Sequence, residues 1–86
     1  MNTLSTGLNT VITGDQIRMA RAALRLGVRD LAMLADVAPM TISRLENGQS
    51  GGQVETLRKV QAALEKAGII FVAENGQGPG VRLRKK

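Results

Sequence analysis

The chain has no cysteine, histidine, tryptophan or tyrosine, and its single aromatic residue is Phe71. Without cysteine there are no disulfides, thiolate zinc sites or thiol nucleophiles. Without histidine, the usual general base and the commonest transition-metal ligand are both missing. Ser43 therefore has no imidazole to activate it, and the seven acidic residues form no paired motif. No enzyme activity, cofactor or metal is expected. No apolar run approaches the roughly 20 residues of a membrane span. The N-terminus also lacks the charged start and apolar centre of a signal peptide. The expected setting is the cytoplasm, away from membranes.

With so few aromatics, the core has to come from Leu, Ile, Val, Ala and Met, within a hydrophobic share of 43%. The 86 residues suffice for one compact domain. A chain this short buries only about 60–65% of its unfolded surface, so burial against a second chain would add stability. Twelve Lys and Arg against seven Asp and Glu give a formal charge of +5. That excess favours a polyanionic partner over an acidic or neutral one.

Residues 1–12, rich in Thr and Asn and without a clear period, read as a flexible N-terminal tail. Thr13-Gly14-Asp15-Gln16 then has the spacing of a capping box. It opens a helix expected to run to about Leu26, with Ile17, Ala20, Ala23 and Leu24 on one stripe and Gly27 as its stop. A short helix over Val28–Ala35 presents Leu31, Ala32, Leu34 and Ala35. Asp36-Val37-Ala38 reads as a tight turn. Pro39 suits a first helical position, where its missing N–H costs nothing. The third helix carries Ile42 and Leu45 inward and stops at Asn47-Gly48.

After a Gly-rich loop, the longest helix, about Gln53–Ala67, has Val54, Leu57, Val60, Ala63 and Leu64 at spacings of three and four. Ile69–Ala73 is rich in β-formers, Glu74–Gly80 is turn material and Val81–Arg84 alternates, which predicts a β-hairpin with a basic second strand. The fold class is thus mainly α, four to five helices with a C-terminal hairpin. Residues 13–67 form the helical domain, and residues 68–86 the hairpin with a basic tail.

Thr-Ile-Ser-Arg-Leu-Glu-Asn-Gly, residues 41–48, together with Leu31–Met40, resembles the helix-turn-helix family of phage repressors and xenobiotic-response-element-type regulators. The resemblance spans about Asp15 to Leu64. It implies a phage-repressor-like fold with Pro39–Asn47 as recognition helix, Ala32 at the helix crossing and a left-handed backbone at Asp36, where the family usually has Gly. Two departures remove polar contacts that the family would lend: Val28 stands where Gln is usual, and Ala38 where Ser or Thr caps the recognition helix.

An outward recognition helix leaves Pro39, Met40, Thr41, Ser43, Arg44 and Asn47 for DNA. Arg44 suits guanine O6 and N7, while Met40 and Thr41 suit a thymine methyl. Backbone contact falls to Pro39, Ser43, Asn47, Gln49, Ser50 and Gly51. Arg82, Arg84, Lys85 and Lys86 are further cations for phosphates or for a solvated tail. The resemblance also implies an ion pair between Arg21 and Glu46.

The implied function is a transcriptional regulator, a repressor type that binds a palindromic operator in double-stranded DNA as a homodimer. A dimerisation element is expected in the hairpin, through Ile70, Phe71 and Val72; the alternative is that the hairpin folds back and completes its own core. A second functional class is a protein-interaction module, such as an antitoxin that neutralises a protein partner and controls its own operon.

Overall fold

The computed structural model describes residues 12–49 and 54–85, and these form four helices followed by a two-stranded antiparallel sheet. The helices are α1 (Gly14–Leu24), α2 (Val28–Ala35), α3 (Pro39–Glu46) and α4 (Val54–Lys66). The strands are β1 (Ile69–Val72) and β2 (Gly80–Leu83). The expected mainly helical fold with a terminal hairpin is thus the one observed. Among the described residues no helix is long and apolar enough to cross a membrane.

The capping box at Thr13 forms as its spacing predicts. Thr13 Oγ1 accepts from the Gln16 N–H at 3.0 Å, and Gln16 Oε1 accepts from the Thr13 N–H at 2.9 Å. At the other end, α1 stops earlier than expected. Arg25 takes a left-handed backbone (φ 59°), the Leu26 N–H reaches the Arg21 carbonyl and the Arg25 N–H reaches that of Ala22. That pair of bonds is a Schellman closure, usually built on Gly. Placing it at Arg25 frees Gly27 to begin α2, where its N–H donates to the Asp30 carboxylate at 2.8 Å. The same closure ends α2 at Asp36 (φ 59°), as the motif implied, and ends α3 at Gly48 (φ 74°).

Helix α2 packs against α3 and α4, while α1 lies against α3 on one side and β2 on the other. Between them Ile17, Ala20, Leu31, Ala32, Ile42, Leu45, Val60, Leu64 and Ile69 are buried. Full burial of a branched aliphatic such as Ile17 or Ile42 contributes about 1.5–3 kcal/mol. Ile12, expected in the tail, is buried as well.

Three residues expected on apolar stripes lie outside this core. Ala23 is exposed, Leu34 is 56% exposed and Val54 is half exposed. The core face of α2 is Leu31, Ala32 and Ala35, and among the described residues Met33 and Leu34 on its other side stay exposed.

The hairpin pairs Ile69 with Leu83, Ile70 with Arg82, Phe71 with Val81 and Val72 with Gly80. Residues facing each other across a pair share a face and alternate along the strand. Ile69 is fully buried, and Phe71 and Val81 pack against the core. The hairpin thus folds back onto its own helices, with the Phe71 ring packed half-buried against the core of its own chain. Ile70 remains outward at 43% exposure, and Val72 is half-buried.

Candidate nucleic-acid interface

The outer face of α3 is built by exclusion. Ile42 and Leu45 turn inward, and Glu46 is buried beside them. An eight-residue helix anchored along that side has to present Pro39, Met40, Arg44 and the following Asn47 to solvent, and all four are exposed. Thr41 and Ser43 are half-buried at the margins of this face. Gln49 is exposed just beyond the helix, while Ser50 and Gly51 lie outside the described residues. The residues expected to contact bases therefore sit together, with Thr41 less accessible than Met40 and Arg44.

Arg21 and Glu46 meet in the implied geometry. Arg21 Nε donates to Glu46 Oε2 at 2.7 Å and the terminal guanidinium NH2 donates to Oε1 at 3.0 Å. A third donor from Arg21 reaches the Leu26 carbonyl at 3.2 Å. The Glu46 side chain is only 7% exposed. Its hydrogen bond raises the Arg21 pKa against the lowering effect of burial, and its charge adds to the rise. The fork fixes both the position of α3 along α1 and its rotation, because a bidentate pair tolerates little of either change.

Two further anchors of α3 went unread in the sequence. Arg18 donates to the Glu46 carbonyl at 2.6 Å while also pairing with Asp15 at 3.0 Å. Gly14 brings its backbone against the last turn of α3: a methyl there would overlap the Leu45 carbonyl oxygen and lie 2.6 Å from that of Glu46. The only sequence signal for this contact was a glycine at the first position of a helix, where propensity alone disfavours it. Similarly, Lys59 of α4 donates to the Asp36 carbonyl at 3.1 Å and ties the turn before α3 to the longest helix.

Gln16 has a second role beyond its cap. Its side chain is buried, and Nε2 donates to the carbonyls of Val72 at 3.1 Å and Gly80 at 3.0 Å. One amide thereby satisfies the start of α1 and holds the mouth of the hairpin.

The departures from the usual motif have visible consequences. Val28 packs against the core, where a polar residue would reach outward. Ala38 gives α3 no side-chain cap, so its tip is Ala38, Pro39 and Met40, all exposed. Of the C-terminal cations, Arg84 is committed within the fold: its guanidinium donates to the Glu65 carbonyl at 2.9 Å. Arg82 and Lys85 are exposed, and Lys86 lies outside the described residues. Among the described residues no cluster of side chains could hold a metal ion.

No protein-family profile matches the chain, and a search of curated proteins returns no match.

Proposed function

We propose that this chain is a sequence-specific DNA-binding regulator that places α3 in the major groove and acts as a homodimer on a palindromic operator. The observation that carries the reading is the asymmetry of α3. One side is locked by Ile42, Leu45 and the Arg21–Glu46 fork, and the other offers Met40 and Arg44 one turn apart with Asn47 and Gln49 at its end. The net charge of +5 supports a polyanionic partner. The resemblance of residues 31–48 to phage-repressor-type regulators adds to it.

Two copies are proposed because one short recognition helix reads few bases, and half-sites one turn apart, roughly 34 Å, require a two-fold partner. Since Ile69, Phe71 and Val81 pack into or against the core, Ile70 and Leu83, with part of Val72, are the apolar side chains the hairpin offers a second chain.

The deciding experiment is in vitro selection of bound sequences from a random duplex pool. A palindromic consensus with affinity falling steeply as salt rises is the expected result. A pool without enrichment after repeated rounds would sink the reading.

A further inference from the structure

We infer that Met40 reads the C5-methyl group of a pyrimidine in the operator half-site, and that this methyl lies within about two base pairs of the guanine read by Arg44. The inference deepens the DNA-binding reading above and rests on it. Met40 is 62% exposed at the second position of α3, and its neighbours at the tip, Pro39 and Ala38, are exposed and apolar too. In the related docking geometries, the N-terminal end of the recognition helix approaches the base edges. In this chain that end carries no hydroxyl cap, and Pro39 has no N–H.

An apolar tip is badly matched to most of what the major groove displays. Base edges there present donors and acceptors, and the one apolar group is the methyl on C5 of thymine. A thioether is a weak acceptor and no donor, so it cannot replace the hydrogen bonds that water makes with N7, O6 or N4. Against a methyl group it loses nothing and buries apolar surface on both partners. An unbranched, polarizable side chain also adapts to a methyl whose position shifts with local DNA shape.

The spacing then constrains the site. Met40 and Arg44 are four residues apart on one exposed face. Four residues advance about 6 Å along a helix, close to two base steps of about 3.4 Å. The half-site should therefore combine a thymine and a guanine at that separation. 5-Methylcytosine carries the same methyl at the same ring position, so it should substitute for thymine as far as Met40 is concerned.

The test uses the full chain and the consensus duplex obtained by selection. Each thymine of the half-site is replaced in turn by deoxyuridine, which removes the methyl and keeps every hydrogen bond. For the unmodified protein, one position should lose about fourfold in affinity per half-site, the worth of one buried methyl group. Met40→Ala should bind the thymine and uracil duplexes alike, while Met40→Leu should keep the preference. With cytosine at that position, C5 methylation should restore about the same factor for the unmodified protein and nothing for Met40→Ala. Circular dichroism should show both variants folded, since the side chain is mostly in solvent. If a consensus emerges but no thymine shows a uracil penalty that disappears with Met40→Ala, the inference is overturned and the DNA-binding reading stands. If no consensus emerges, both fail together.

Discussion

The side-chain amide of Gln16 donates to the carbonyl of Gly80, 64 residues further along the chain, at 3.0 Å. The same nitrogen serves Val72, and the amide oxygen serves the Thr13 N–H, so the buried group is satisfied on both ends. Replacing it with Ala leaves two carbonyls and one N–H short of partners inside the protein. We expect Gln16→Ala to cost about 2–3 kcal/mol in urea denaturation. Gln16→Glu should cost more, because a carboxylate would face two carbonyl oxygens. Amide exchange localises the effect: protection should fall first at β1 and β2. Equal loss of protection across all helices would contradict a hairpin clamp.

Arg21→Ala should lower stability by about 3 kcal/mol, the lower end for a broken buried pair, because Arg21 keeps some solvent while Glu46 does not. A double-mutant cycle with Glu46→Gln isolates the pair, and additive effects would show that the two side chains do not interact. The pKa of Arg21 is raised on folding. Its stabilisation is therefore complete below the unfolded pKa and is lost only as pH climbs through the folded value, in strong alkali. This arginine should add no slope to the stability curve between neutrality and mild alkalinity.

Gly14→Ala inverts the usual preference for Ala in helices. Helix propensity would credit the change with up to about 1 kcal/mol. The added methyl, however, meets backbone carbonyls of Leu45 and Glu46 that no rotamer change can move aside. A net destabilisation of about 1–3 kcal/mol is expected, with α1 displaced from α3. Operator binding should weaken along with it. A stabilised Ala variant with unchanged binding would refute the close approach.

Arg25→Gly should do the opposite. Arg25 holds a left-handed backbone that costs an ordinary residue about 1–2 kcal/mol, and Gly removes that strain at some cost in unfolded-chain entropy. The expected gain is about 0.5–1 kcal/mol, read as a raised thermal midpoint. Asp36→Gly should gain less, because Asp tolerates this region better.

Arg44→Ala tests recognition with little structural cost, since its side chain lies on the exposed face of α3. Specific affinity should fall by about 1–3 kcal/mol and the preference at one position per half-site should relax, with the thermal midpoint nearly unchanged. A selected consensus that keeps its full information content in this variant would remove Arg44 from base reading.

Several positions between Leu31 and Gly48 were legible through the resemblance of this stretch to a known motif. Asp36 has the left-handed backbone that the resemblance implied, Gly48 ends α3 and Ala32 is buried. Gln16 was legible only in part. A capping box is a matter of three residues, whereas its bonds to the hairpin depend on the chain returning to α1 after 56 residues. The end of α1 was misplaced because Gly27 is the residue that propensity selects for a left-handed turn. The fold takes the strain at Arg25 and uses Gly27 to start α2. Leu34 and Val54 extended apolar stripes by their spacing, but spacing says nothing about how many neighbours a small domain can supply. The hairpin posed a similar problem: alternation predicted its strands, while the side on which Phe71 would find cover was a matter of topology.

A core that the hairpin helps to close also orders the events of synthesis. Helices α1, α2 and α3 leave the ribosome before β1 and β2, yet Ile69 is part of the wall against which they pack, and Gln16 finds both its carbonyl acceptors only once Gly80 has been added. A nascent or broken chain that stops short of that point carries α1, α2 and α3 with an open core. Such fragments are natural prey for proteases and chaperones. The segment from Ile69 to Gly80 thus sets the earliest point in synthesis at which the helices before it can close their core.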